Sequence, residues 1–258
     1  MIGVFDSGLG GLTALRRLHA LAPRTSYVYF GDTGRVPYGT RSQETVLRYA
    51  LEDLQFLSAF SPEAVLVACG TVSANALRVL REVSDVPVFG VIEHAARAAV
   101  QATRNGRIGV LGTGATIRTH AYRRELLCLA PTLSVTEVAC PMFVPMVENG
   151  FTDGADPVVA ALCARNLSPI KAVGADTLIL GCTHYPLLAD AIAAELPGVV
   201  LIDPGAEAVA AMTPYLQAER APVRRYFVSD GASDFATAAA RLLGESVAGR
   251  VAQVEVGR

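Results

Sequence analysis

The chain has 258 residues, 52% of them hydrophobic and 18% charged, which is enough to bury one large core or two smaller ones and excludes a disordered chain. With 22 basic against 24 acidic residues and a net charge of -2, no global field draws a polyanion, so nucleic acid is not an expected partner. The apolar runs, such as Ala64–Cys69 and Thr177–Leu180, are strand-length and far short of the roughly 20 residues of a membrane helix, so no membrane association is expected either.

In chain order, Ile2–Asp6 reads as a strand, Gly10–Leu21 as a helix, Tyr27–Asp32 as a strand and Ser42–Leu57 as a helix. Ala64–Gly70 follows as a strand, Ser73–Val83 as a helix and Pro87–Ile92 as a strand. The rhythm resumes with a strand at Arg107–Thr113, a helix over Thr116–Leu129 and a strand at Thr177–Tyr185. A helix at Asp190–Leu196, a strand at Val199–Gly205, a helix at Glu207–Gln217, a strand at Arg224–Asp230 and a helix at Phe235–Gly244 complete it. Continuous Val/Ile/Leu runs separated by amphipathic stretches imply parallel strands covered on both faces, an α/β fold of doubly wound type. Met1–Phe5 enters a strand directly, without the basic and apolar regions of an export signal, which predicts a cytoplasmic protein.

Five cysteines, at 69, 128, 140, 163 and 182, make no CxxC pair and form an odd set, so free thiols are expected rather than a disulfide frame. The one lysine, Lys171, and four histidines without metal-ligand spacing argue against pyridoxal phosphate and against a metal centre; no cofactor is expected.

A weak internal repeat organises the chain. Gly3-Val4-Phe5-Asp6-Ser7-Gly8 resembles Gly109-Val110-Leu111-Gly112-Thr113-Gly114, and Val65–Thr71 around Cys69 resembles Leu178–Thr183 around Cys182, at separations of 106 and 113 residues. Two pseudo-symmetric halves would each place a cysteine at the carboxyl end of a strand, where ligands of parallel sheets bind. The repeat predicts one domain of residues 1–93 plus 207–258, carrying Asp6 and Cys69, and a second of residues 94–206, carrying Glu148, Cys182 and His184.

A carbon flanked by a carboxylate and an ammonium is a weak acid, so inverting it without a cofactor needs a base on one face and an acid on the other. Two thiols suit this, since the ordinary thiol value of about 8.5 makes both forms accessible near neutrality. Cys69 and Cys182 each follow a strand and precede a helix, where N–H groups favour a thiolate. Cys128, Cys140 and Cys163 lack that setting and read as small buried hydrophobes. Asp6, a carboxylate ending an apolar strand, needs a hydrogen-bonding reason to be there, helix capping by Asp6 or Ser7 being the plainer one. His184 is a natural proton partner two residues from a thiol. The Gly8-Leu9-Gly10-Gly11 turn does not complete G-x-G-x-x-G, and Asp6 would repel a phosphate, so nucleotide binding is disfavoured. Arg16-Arg17 and Arg123-Arg124 read as solvated helix faces.

Phe5-Asp6-Ser7-Gly8, Tyr29–Thr33, Val36-Pro37-Tyr38-Gly39, Ala68-Cys69-Gly70-Thr71 and Gly181-Cys182-Thr183-His184-Tyr185-Pro186, five motifs in order over residues 2 to about 230, resemble the glutamate racemase family. The resemblance implies an active site in the cleft between two α/β domains, with Cys69 handling the proton of the D-enantiomer and Cys182 that of the L-enantiomer. Asp6 would assist Cys69; His184 and Glu148 would assist Cys182, and Glu148 is assigned by the resemblance alone. Asp6, Ser7, Tyr38, Gly39, Gly70, Thr71, Thr183 and His184 would bind substrate, with Thr113 and Thr116 as additions from the second half. The family commonly has asparagine where this chain has Gly70, so the backbone is expected to approach the ligand there. The resemblance further implies D-glutamate supply for cell-wall peptidoglycan, and it leaves a homodimer open. A racemase of aspartate, or a two-lobed protein that binds an amino acid without inverting it, are the alternatives.

Overall fold

A computed structural model describes residues 1–257. In chain order the elements are β1 (Ile2–Asp6), α1 (Leu12–Leu21), β2 (Tyr27–Gly31), α2 (Gln43–Ser58), β3 (Ala64–Val67), α3 (Gly70–Asn75), α4 (Leu77–Val83) and β4 (Val88–Phe89). Then come α5 (Ile92–Ala102), β5 (Arg107–Gly112), α6 (Gly114–Arg118), α7 (Ala121–Leu129), β6 (Ser134–Ala139), α8 (Phe143–Glu148), α9 (Pro157–Val173) and β7 (Thr177–Leu180). The last are α10 (Ala189–Glu195), β8 (Val200–Ile202), α11 (Pro204–Ala211), β9 (Arg224–Val228), α12 (Ala232–Leu243) and β10 (Val251–Gln253).

The strands form two sheets, ordered β10-β9-β2-β1-β3-β4 and β6-β5-β7-β8, and every pairing is parallel. The sequence β2-β1-β3-β4 in the first sheet has the same order as β6-β5-β7-β8 in the second. The internal repeat is therefore a repeat of topology: β3 and β7, the strands that run into Cys69 and Cys182, occupy equivalent places. Register agrees, with Phe5 opposite Val67 in one sheet and Leu111 opposite Leu180 in the other.

Alternation along the strands divides the core. Phe5, Val28, Phe30, Val65 and Val67 pack on one face with Val46, Ala50, Leu54 and Leu57 of α2. Their neighbours Val4, Tyr29 and Leu66 face the other way, into a cluster shared with Leu12 and Leu15 of α1, Ala95 and Ala99 of α5, and Val110 and Ile179 of the second sheet. Leu111, Leu178 and Leu180 close the far side against Val159, Cys163, Leu167 and Ile170 of α9. Each fully buried Val, Leu, Ile or Phe contributes about 1.5–3 kcal/mol relative to exposure, so the interior layer between the sheets holds the carboxyl ends of β1, β3, β5 and β7 in a common frame.

Three stretches expected as single helices are divided. Ser73–Val83 is covered by α3 and α4, which meet at Ala76. Thr116–Leu129 breaks at His120, which takes a left-handed conformation with φ 51°, while the Thr119 hydroxyl donates to the Thr116 carbonyl at 2.6 Å. Glu207–Gln217 ends as α-helix at Ala211, ahead of Pro214, whose missing N–H and fixed φ oppose continuation. No helix among the described residues is long and apolar enough to cross a membrane.

Candidate active site

The sequence explains why chemistry collects at one level. A parallel strand that leads directly into a helix leaves its first post-strand residue at the sheet's carboxyl edge, beside unsatisfied helix N–H groups. Ser7 follows β1, Cys69 lies just beyond β3 and caps α3, Thr113 follows β5 and caps α6, Cys140 follows β6, and Cys182 lies just beyond β7. All five line one cavity of about 300 Å³. Glu148 comes to the same cavity from the end of α8 and His184 from the segment after β7.

The two thiols have different surroundings. Cys69 is 4% exposed, and its Sγ donates to Ser7 Oγ at 3.3 Å. Burial and then the Asp6 charge push the Cys69 thiol up to about 12, with the Ser7 contact and the Val72 N–H acting against them. Asp6 itself is raised by burial, opposed by the His184 charge and by the N–H groups of Gly8 and Gly11. Its Oδ2 accepts from Gly8 N at 2.9 Å, and its Oδ1 is buried with no hydrogen-bond partner among the described residues. Cys182 Sγ lies 3.9 Å from His184 Nδ1. On the other side of that ring, Nε2 is 3.2 Å from Glu148 Oε1, an ion-pair contact not aligned as a hydrogen bond. Burial opposes the His184 imidazolium, but the Cys182 sulfur, Glu148 and Asp6 outweigh it and push the value up to about 10. One thiol is thus held protonated beside a buried carboxyl group, and the other has a cation at its flank.

Of the residues singled out in the sequence, Ser7, Tyr38, Gly39, Cys69, Gly70, Thr71, Thr113, Glu148, Cys182, Thr183 and His184 line the cavity. Asp6 and Thr116 are not among the lining residues: both are 1% exposed and stand behind it. Thr116 Oγ1 is 3.0 Å from Thr113 Oγ1 and 3.5 Å from Thr71 Oγ1, and Thr71 reaches Thr113 at 3.0 Å, so the three hydroxyls join the halves at the cleft floor. The Tyr38 hydroxyl is engaged by Asp32 and Asp53, so Tyr38 offers the cavity its ring and backbone instead. Besides lining the cavity, Gly70 also meets the opposite half. A Cβ there would sit 2.6 Å from the Gly181 carbonyl oxygen, so glycine admits the backbone of the opposite half.

Cys140 belongs to the site wall together with Pro141, Val144 and Pro145, although its sequence setting read as a plain core residue. Its signal was a strand, Ser134–Ala139, ending one residue before it. Burial pushes this thiol up to about 12, with the Cys163 and Cys182 charges acting the same way. Arg17 is not simply solvated: its Nε is 2.8 Å from Asp203 Oδ2, and the Thr13 hydroxyl donates to the Thr183 carbonyl at 2.9 Å, tying α1 to the second half.

The chain is similar to known proteins over nearly its whole length. A curated glutamate racemase from Geobacter metallireducens is 44% identical over 264 aligned residues, covering 99% of this chain and 96% of that protein. Among solved structures, a glutamate racemase isoform from Bacillus anthracis matches with a TM-score of 0.94 at 38% identity, over 99% of this chain and 97% of that one. A glutamate racemase from Francisella tularensis, solved in complex with D-glutamate, matches with a TM-score of 0.91 at 33% identity, over 98% and 97%. The model of the Asp/Glu/Hydantoin racemase family matches residues 3–212, a span that contains both cysteines and every residue of the cavity wall. With paired thiols at equivalent strand ends and this continuous similarity, the chain belongs to the Asp/Glu/Hydantoin racemase family.

Proposed function

We propose that the chain is a cofactor-independent glutamate racemase. The observation that carries the reading is that Cys69 and Cys182, at equivalent strand ends of two sheets, open on one cavity. L-Glutamate binds with its α-carbon between the sulfurs. The Cys182 thiolate, flanked by the His184 imidazolium, takes the α-proton; the Cys69 thiol returns a proton to the opposite face and becomes the thiolate. The reverse reaction starts from D-glutamate with the roles exchanged. Glu148 keeps His184 charged, and Asp6 keeps Cys69 protonated until a carbanion forms. Hydroxyls and N–H groups of Ser7, Gly70, Thr71, Thr113 and Thr183, with the Tyr38–Gly39 backbone, hold the two carboxylates and stabilise the charge that develops at the α-carboxylate. The domain carrying Asp6 and Cys69 comprises residues 1–93 and 207–258, and residues 94–206 form the other; the equal strand orders support this division, and its boundaries fall in the first turns of α5 and α11. The product is D-glutamate for peptidoglycan, made in the cytoplasm.

The test is proton NMR of L-glutamate and, separately, L-aspartate in deuterated water with the purified protein and no added cofactor. Loss of the α-proton signal of glutamate with appearance of the D-form is expected. Exchange of aspartate alone moves the substrate assignment, and exchange of neither overturns the racemase reading.

A further inference from the structure

The largest group of buried charge outside the thiol pairs lies beneath the loop of residues 36–40. Val36, Pro37, Tyr38 and Gly39 wall the cavity, and Gly39 packs so closely on the second half that a Cβ at 39 would sit 3.0 Å from Thr113 Cβ. The loop therefore touches both the substrate space and the opposite sheet. Beneath it the Tyr38 ring packs in the core and lies 5.3 Å from the Tyr49 ring, and around that ring the supports are polar. Arg35 Nε is 2.5 Å from Asp32 Oδ2, Nη2 is 2.9 Å from Asp53 Oδ1, and Nη1 pairs with Glu52. The guanidinium carbon stands 4.2 Å over the Tyr49 ring. The Tyr38 hydroxyl donates to Asp32 Oδ2 and lies 3.2 Å from Asp53 Oδ2. Asp32 is further held by Ser229 Oγ at 2.7 Å, beyond the end of β9.

Asp53 is the unexpected member. It is on α2 at 0% exposure, among buried positions otherwise filled by Val46, Ala50, Leu54 and Leu57. An aliphatic residue there would pack without desolvating a carboxyl group, which costs several kcal/mol unless the group is well partnered. The Asp53 partners bracket the start of the loop: Oδ1 serves Arg35, just before it, and Oδ2 serves Tyr38, within it, one on each side of Val36-Pro37. The two contacts clamp the segment from both ends.

We infer that Asp53 is a positioning residue for substrate binding, which fixes the Val36–Gly39 loop in its cavity-closing conformation through Arg35 and Tyr38. The substrate in this statement rests on the racemase reading; the clamp does not. Burial and the neighbouring Asp32 raise Asp53 above the ordinary carboxylate range, with Arg35 acting against them, so a neutral group of the same shape is accommodated. A loop that meets ground state and transition state alike changes KM rather than kcat when it is loosened.

The experiment compares wild type, Asp53→Asn, Asp53→Ala and Tyr38→Phe by glutamate kinetics and by hydrogen exchange of residues 36–41 in the free protein. Asp53→Ala is expected to raise KM about tenfold with kcat within about threefold, and to speed exchange in the loop. Asp53→Asn is expected to stay near wild type in both. Where Asp53→Ala does not fold, Tyr38→Phe, which removes the hydroxyl end of the same clamp, is expected to show the raised KM and faster loop exchange. A variant that loses thermal stability while keeping the wild-type KM and loop exchange overturns the inference. If the wild type exchanges no α-proton from glutamate, the substrate assignment fails, and the loop exchange still decides whether Asp53 is a clamp.

Discussion

His184 stands between three acidic groups, and its charge is a property of the folded state. In the unfolded chain an imidazole titrates near 6.5, whereas the folded value is pushed up to about 10. Between those values the folded protein binds a proton that the unfolded chain has released, so this contribution to stability is complete below pH 6.5 and is lost as pH rises through 10. Thermal melts from pH 6.5 to 10 should show a falling midpoint, and His184→Asn should flatten that slope; an unchanged slope would remove the cation from beside Cys182. Gly70 governs a second property of the thiol pair, their spacing. It follows Cys69 directly, and the atom a side chain would meet is the backbone oxygen of Gly181, which directly precedes Cys182. Because a backbone oxygen cannot rotate aside, Gly70→Ala has to shift one backbone against the other and so change the spacing of the two thiols. A displacement approaching 1 Å costs proton transfer up to about a hundredfold, so kcat for racemisation should fall at least about tenfold. Unchanged kcat would mean that the spacing is set elsewhere. Asparagine, which the resemblance leads one to expect at this position, demands the same adjustment, so restoring it is not a neutral substitution in this chain.

Helices and strands that repeat a simple pattern were legible, and the departures have local causes. Asp156 followed by Pro157 starts α9 as a capping residue and first-turn proline should, with Asp156 Oδ1 accepting from Val158 N at 2.7 Å. The whole stretch from residue 130 to 176 nevertheless escaped assignment, although it holds β6, α8 and α9. The partial exposure of β6, an edge strand with Ser134 and Ala139 exposed and only Val135 buried, goes with a sequence that lacks the continuous apolar run of the central strands, and Cys140 was missed with it. Inside α9, Pro169 obscures the helical period. The ring removes the N–H that would bond the Arg165 carbonyl, and the Ser168 hydroxyl donates to that carbonyl instead, at 3.0 Å. Restoring the backbone bond with Pro169→Ala should raise stability by about 1–3 kcal/mol, read as a higher midpoint in urea with an unchanged slope. No gain would mean that α9 is already bent to suit the proline and that its packing against β6 depends on the bend. The pairing of the His120 ring with Glu137 at 2.6 Å and that of the Tyr38 hydroxyl with Asp32 and Asp53 were equally unreadable, since the fold brings these partners together.

At the scale of the molecule, the repeat was the most informative feature of the sequence, because the chain order of β1–β4 recurs in β5–β8 and carries the two cysteines with it. What one sequence lacks is the distance between the halves, which depends on contacts such as Arg17 with Asp203 and Thr13 with Thr183. The cavity takes its wall from both sheets, so a ligand that fits it binds the assembled molecule and has little to hold in the unfolded chain. Linkage then requires that glutamate stabilise the whole fold, by about 2.7 kcal/mol at a hundred times its Kd. A double variant, Cys69→Ala with Cys182→Ala, separates this from the chemistry, since it removes both proton carriers and leaves the hydroxyls and backbone donors of the wall in place. It should exchange no α-proton, and its melting midpoint should still rise with glutamate concentration. The shift with aspartate should be smaller if donors of both halves hold the two carboxylates of glutamate, because a side chain shorter by one methylene spans less of the cavity. A midpoint indifferent to glutamate would mean that the thiols themselves hold the substrate, and a larger shift with aspartate would assign the cavity to the shorter acid.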